Sequence, residues 1–294
     1  MLPYYYSYGE YMTKRFGGKV YKLSLDAGLT CPNRDGTLST GGCIFCSEGG
    51  SGDFSERHID DISQQLENAK KQVAKKYNGN KFVAYFQSYT NTYGDIDYLR
   101  KIFFEAINNP SVVALSIGTR PDCLGEAVIE LLNQLNNIKP VFVELGLQTI
   151  HRETARLINR CYELSVYDEA IKKLKAIGVN VVVHIILGLP HETEEMMLQT
   201  VDYVVKSSAD GIKLQLLHVL KNTSLEKMYL DGEFEVMTKD EYIGIVIKCL
   251  RRIPNDIVIH RLTGDAPKSL LVAPLWSADK KDVLNSINRE ITKK

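Results

Sequence analysis

Six short runs rich in β-branched and aromatic residues recur along this chain, at residues 19–26, 82–87, 112–117, 140–147, 179–187 and 211–217. Between them, apolar residues return at helical spacing over 59–76, 95–107, 124–135, 152–159, 167–177 and 193–206. Breakers punctuate the pattern: Asn78-Gly79-Asn80 after the first helix, Asn109-Pro110 after the second, and Gly178 before the fifth strand. Asp95 stands where the second helix needs an N-cap. Strands that alternate with helices imply a parallel sheet with right-handed crossovers. The alternation admits two α/β architectures, an open doubly wound sheet and a partial barrel. Beyond the sixth strand the pattern predicts a helix over 239–251, a short strand over 257–260 and a last helix over 280–292, a tail that covers one side of the sheet.

A chain of 294 residues, 44% hydrophobic, can bury a substantial core. Lys and Arg total 36, as do Asp and Glu, so no bulk charge grips long nucleic acid. Residues 1–16 are tyrosine-rich and hold no apolar signal core. The longest apolar stretch, 181–189, contains His184 and is too short to span a membrane. These features predict a cytoplasmic protein without a membrane anchor. Six cysteines are too few for a secreted disulfide scaffold, and a reducing compartment favours metal binding over bridges.

Three of those cysteines, Cys31, Cys43 and Cys46, fall in one loop rich in Gly, Pro, Asn and Asp, directly after the first strand. The loop has too few apolar residues for a core of its own. A Cys-x-x-Cys pair alone fits a redox pair, half a zinc site or chance. A structural zinc site wants four ligands, the nearest histidine is His58, and no second such pair exists. Three thiolates suit an iron–sulfur cluster with one iron left free of protein ligands. The C-terminal end of a strand is also where parallel α/β folds place their chemistry. Cys123, Cys161 and Cys249 have no ligand spacing and read as ordinary free cysteines. Lys70, Lys71, Lys75 and Lys76 read as one solvated helix face.

The segments Cys31-Pro-Asn-Arg-Asp-Gly-Thr37 and Gly41-Gly-Cys-Ile-Phe-Cys46 resemble the cluster motif of the radical SAM enzymes, in the YhcC/YtqA-type branch related to the elongator catalytic subunit. The resemblance extends through Phe86–Tyr93, Thr119–Asp122, Glu144–Thr149 and His260–Asp265. It implies a partial (βα)6 TIM-like barrel over 19–220, preceded by an N-terminal segment (1–18) and followed by a C-terminal α/β extension over 221–294. It further implies a [4Fe–4S] cluster on Cys31, Cys43 and Cys46, with S-adenosylmethionine chelating the fourth iron. The resemblance assigns cofactor contacts to Tyr89, Thr90, Asn91, Ser116, Gln148, Arg160, His184 and Leu217. Arg160 would pair with the cofactor carboxylate, a charge-assisted contact. Each also has a plainer reading. His184 among Val and Ile would be a satisfied core histidine, Gln148 and Ser116 strand-end caps, and Arg160 a surface charge.

In the family, the reduced cluster cleaves S-adenosylmethionine to methionine and a 5′-deoxyadenosyl radical, which takes a hydrogen atom from the substrate. An external electron donor such as flavodoxin or ferredoxin is therefore expected. Within the branch two substrates compete. One is free queuine, which loses its cyclopentenediol to give 7-aminomethyl-7-deazaguanine. The other is a tRNA wobble uridine, trimmed from carboxymethylaminomethyl to aminomethyl. The balanced charge and the absence of an RNA-binding module favour the small modified base. Tyr89, Asn91, His260, Asp265 and Trp276 are the candidate base contacts; in the plainer reading Asp265 caps a turn and Trp276 belongs to the tail core. A non-catalytic iron–sulfur or zinc-stapled binding protein is the remaining alternative.

Overall fold

A computed structural model describes residues 5–50, 59, 61–75 and 77–292. His58 and the last residue of the helix expected over 59–76 lie outside the described residues. The chain curls seven parallel strands into a partial barrel, in the order β1 (Tyr21–Leu25), β2 (Phe82–Phe86), β3 (Val112–Thr119), β4 (Val141–Gln148), β5 (Asn180–Leu187), β6 (Gly211–Leu216) and β8 (Val258–Arg261). The first six match the six runs read from the sequence. The seventh comes from the tail, which joins the sheet edge beside β6 instead of only covering it.

Helices α2 (Ile62–Val73), α3 (Ile96–Asn108), α4 (Glu126–Asn136), α5 (Arg152–Leu157), α6 (Leu164–Ala176) and α7 (Glu194–Lys206) fill the connections. Asp95 caps α3 by accepting from the backbone of Asp97 and Tyr98, and Thr193 caps α7. Alternate strand residues such as Leu115, Val143, Val183 and Leu214 join the helix faces in one apolar core. The opposite side chains point into the barrel. A short antiparallel pair of β7 (Val219–Leu220) and β9 (Leu271–Ala273) carries α8 (Ser224–Leu230) on one side. Helix α9 (Lys239–Arg252) packs on α7 and on α10 (Lys280–Ile291).

One element has no counterpart in the strand–helix alternation. Residues Tyr8–Phe16 form helix α1, capped by the Ser7 side chain and ended by Gly17 in the left-handed region at φ 68°. Its Met12 is 1% exposed and packs on Val83, Ala114, Phe142 and Val182, the lowest inward residues of four strands. Burial of Met12 contributes on the order of 2 kcal/mol. Just before α1, Ser7 bridges Ile259 of β8. Helix α1 thus stops the N-terminal end of the barrel with apolar packing, and leaves the C-terminal end to polar groups. Among the described residues no helix is long and apolar enough to cross a membrane.

Candidate active site

The cysteine loop is held largely through its own backbone. Arg34 and Asp35 donate to the Cys31 carbonyl at 2.8 and 3.2 Å, and Cys46 donates to that of Cys43 at 2.9 Å. Asn33 is fully buried; its carbonyl accepts from Gly42 at 2.8 Å, and its amide nitrogen donates to the Asn159 carbonyl. Asn159 returns the contact, donating to the Gly42 carbonyl at 2.8 Å from a left-handed backbone at φ 56°. Two further backbone bonds anchor the loop, Ile44 to the Ile158 carbonyl and Leu225 of α8 to that of Ile44. Short-range turns thus set the cysteine spacing, and the segment after β4 sets the loop's position.

All six cysteines are free thiols. Among the described residues no three His, Cys, Asp or Glu side chains converge on a site for a single metal ion. Cys31, Cys43 and Cys46 instead spread around one cavity at the C-terminal end of the barrel. Three thiols lining one cavity suit a cubane, in which each thiolate takes a different iron. Arg34 and Arg120 line the same cavity and supply positive charge close to the thiols. Burial foremost, with the neighbouring thiols, pushes the bare Cys43 thiol up to about 12. Asn33 Oδ1, buried in the same loop, has no partner. This donor set fits a [4Fe–4S] cluster with one iron left for another ligand.

Of the residues expected to contact the cofactor, Tyr89, Thr90, Gln148, Arg160 and His184 line the cavity with the cysteines. Tyr89 and Gln148 hold left-handed backbones, at φ 57° and 64°, where β2 and β4 give way to loops. Non-glycine residues adopt that region at a cost, and such strain clusters at functional sites. Arg160 is 2% exposed and gives its N–H groups to main-chain carbonyls: Nη1 to Leu147 at 3.0 Å and Thr149 at 2.6 Å, Nη2 and Nε to Tyr162 at 3.0 and 3.3 Å. Four bonds leave one of its five N–H groups for a cofactor. Arg120, absent from the sequence-derived set, also lines the cavity; Asp122 clamps its Nε and Nη2 at 2.9 and 2.7 Å.

The remaining expected contacts stand elsewhere. Asn91 is buried beneath the rim, where its amide joins the carbonyls of Phe86 and Gly118 at 3.1 and 3.0 Å. Leu217 is packed in a separate apolar cluster with Ile158, Ile186 and Leu189. His260 lies toward the stopped end, 4.6 Å from the ring of Tyr8 and 6.2 Å from that of Phe142. Asp265 pairs with Lys280 at 2.6 Å and Arg261 at 3.3 Å, and Trp276 donates to the Met237 carbonyl at 3.0 Å. The last two hold the C-terminal extension together; of their neighbours, Arg261 reaches the cavity.

Below the rim, six strands meet on one carboxylate. Glu144 of β4 is 1% exposed. Its Oε1 accepts from Lys22 of β1 at 2.8 Å and Ser116 of β3 at 2.7 Å. Its Oε2 accepts from Tyr85 of β2 at 2.9 Å, His184 of β5 at 2.9 Å, and Lys213 of β6. Burial would raise the pKa of this carboxyl; Lys213, then Lys22 and His184, outweigh it and hold the group well below the usual carboxylate range. Burial lowers Lys213 to about 7, with Lys22 and Arg261 adding to the effect and Glu144 opposing it. Burial, reinforced by Lys213, drops His184 to about 4, so its imidazole is neutral. A carboxylate only accepts, so the His184 Nε2–H donates to Glu144 and Nδ1 is left to accept from Gln215, 3.5 Å away. Ser116 therefore supports Glu144 from within this layer. Glu144, Lys213 and Lys22 are charges set inside strand runs, and that is the signal from which the layer could have been read.

Comparison with known proteins agrees with the geometry. Residues 35–204 match the Radical SAM superfamily model, and residues 209–293 the Radical_SAM C-terminal domain. YtqA of Bacillus subtilis (strain 168) is 43% identical over 287 residues, 98% of this chain and 89% of that protein. A tRNA uridine(34) acetyltransferase of Methanocaldococcus jannaschii is 29% identical over 163 residues, 54% of this chain and 30% of the longer protein. The structure of Methanocaldococcus infernus Elp3 with an N-terminal deletion superposes with a TM-score of 0.69 at 19% identity, over 92% of this chain and 63% of that one. The cysteine loop, the curled parallel sheet and these matches together place the chain in the radical SAM superfamily, whose members use a [4Fe–4S] cluster and S-adenosylmethionine.

Proposed function

We propose that this enzyme cleaves a C–N bond on an aminomethyl-substituted modified nucleobase, converting free queuine to 7-aminomethyl-7-deazaguanine. Cys31, Cys43 and Cys46 would hold the cluster, and Tyr89, Thr90, Gln148 and the remaining N–H of Arg160 would meet S-adenosylmethionine at the rim. When bound, the pair would supply a 5′-deoxyadenosyl radical, an acceptor for a hydrogen atom from the carbon next to the substrate nitrogen. The protein's own work is to orient that C–H bond and exclude water.

The observation that carries the reading is the lining of the cavity. The amides of Gln87, Gln148 and Gln215 bring donors and acceptors together, and Tyr89 and Tyr162 bring aromatic rings that already stack with guanidiniums, Arg34 on the first and Arg160 and Arg120 on the second. That combination suits the edge and face of a planar heterocycle. Zero net charge favours a free base over a polyanion.

A second reading is favoured by the relatives: one is named for uridine 34 of tRNA, and Elp3 shares the fold. In it the substrate is a tRNA wobble uridine bearing a carboxymethylaminomethyl group, flipped out of its stack into the cavity. Reconstituted, reduced enzyme incubated separately with queuine and with that tRNA decides between them. Product and 5′-deoxyadenosine from queuine are expected; turnover of the tRNA alone overturns the free-base reading. An electron donor such as flavodoxin or ferredoxin is part of the proposal.

A further inference from the structure

The amine of either candidate substrate is a secondary aliphatic one, which carries a proton at neutral pH. A cation of that kind calls for a carboxylate. Among the described residues lining the cavity, Glu144 is the sole carboxylate, and Lys22, Ser116, Tyr85, His184 and Lys213 already occupy its two oxygens. Five donors exceed the roughly four lone-pair sites a carboxylate offers. The other basic side chains lining the cavity, Lys213 apart, are the guanidiniums of Arg34, Arg120, Arg160 and Arg261. No carboxylate in the lining is therefore left to pair with a substrate ammonium, and the site favours a neutral amine.

Lys213 is placed to bring about that change. Its residue is 3% exposed, yet its side chain lines the cavity. Tyr85 donates its hydroxyl hydrogen to Glu144, so the Tyr85 oxygen accepts from Lys213 Nζ at 3.1 Å, and a second N–H of Lys213 goes to Glu144. A neutral lysine has two N–H groups, both satisfied here, and its lone pair is left for a ligand. We infer that Lys213 takes the proton from the substrate's secondary ammonium, so that the amine meets the radical step neutral. This rests on the aminomethyl-nucleobase reading above. The step moves one proton from substrate nitrogen to Nζ and no electron; the new ammonium stays between Tyr85 and Glu144. A neutral nitrogen has the lone pair that delocalises an unpaired electron on the adjacent carbon, and an ammonium has none.

The groups facing Lys213 from the packed strands are Lys22, Tyr85, Glu144, His184, His260 and Arg261. Because burial has brought Lys213 down to about 7, its proton-accepting form is present above that pH and is lost below it.

The test is kcat/KM for product formation by reconstituted holoenzyme between about pH 6 and pH 9, with queuine and with the tRNA separately. Wild type should rise through about 7 and level off. Lys213→Met and Lys213→Arg should fall about a hundredfold near neutrality. Both should then climb tenfold per pH unit without levelling, because they can capture only amine that is already neutral. A variant profile that levels like wild type, or full rescue by Lys213→Arg, overturns the assignment. If wild type turns over neither substrate, the substrate reading fails and this assignment falls with it. A binding measurement on wild type needs no variant. Calorimetry in buffers of different ionisation enthalpy should show about one proton released on queuine binding near pH 6 and none near pH 8.5. No release at either pH overturns the assignment.

Discussion

The cysteine loop and the charged layer beneath it line the same cavity and are built in opposite ways. Cys31, Cys43 and Cys46 sit within one continuous stretch, and most of what holds them is main-chain bonding inside that stretch and to Asn159. The layer takes Lys22, Tyr85, Ser116, Glu144, His184 and Lys213 from six different strands. A local device of this kind is lost by changing one ligand and leaves the barrel standing. A buried charge network belongs to the barrel itself, since every member depends on the others for its charge state.

Changing Cys46 to Ala should have the largest functional effect. Iron content should fall from about four per chain to near zero, and 5′-deoxyadenosine formation to background. Thermal unfolding of the cluster-free protein should hardly move. Unchanged iron would sink the ligand assignment, and a large fall in stability would show that the loop is less independent than its bonding implies. Glu144→Gln should act the other way. It leaves Lys22 and Lys213 without their counter-charge inside the barrel, and urea unfolding should report a loss of about 3–5 kcal/mol. The folded fraction should still bind iron. A loss under about 1 kcal/mol would mean the layer is not held by its carboxylate.

The smallest effect is a pH slope. Burial brings His184 and His218 to about 4 and holds His260 well below its ordinary value, while in the unfolded chain all three titrate near 6.5. Their folded forms stay neutral, so the stability they permit is complete above about 6.5 and is lost as pH falls toward about 4. His184→Asn should remove roughly a third of that slope, one histidine of three. An unchanged slope would place the acid sensitivity outside the barrel layer.

Much of this was legible in the chain. Strand and helix positions followed from periodicity, because each helix buries one stripe and each strand one face. The cysteines followed from spacing, because their geometry is local. Helix α1 was not legible: its tyrosines and scattered charges resemble a solvated segment until the barrel end gives Met12 a place to pack. Of the expected contacts, Ser116, Asn91, Leu217 and His260 missed the cavity because strand pleat and depth, invisible in a linear order, decide which level of the barrel a side chain reaches.

The sequence by itself determined the alternating strands and helices, the three thiols and the radical SAM resemblance, all of which rest on neighbours close along the chain. Only the tertiary structure decided that Lys22, Lys213 and His184 share one carboxylate, that Arg160 spends most of its hydrogen bonds on main chain, and that a helix closes the barrel's far end. These depend on parallel strands far apart in sequence lying side by side. Only that arrangement removes the water that would otherwise keep each charge independent.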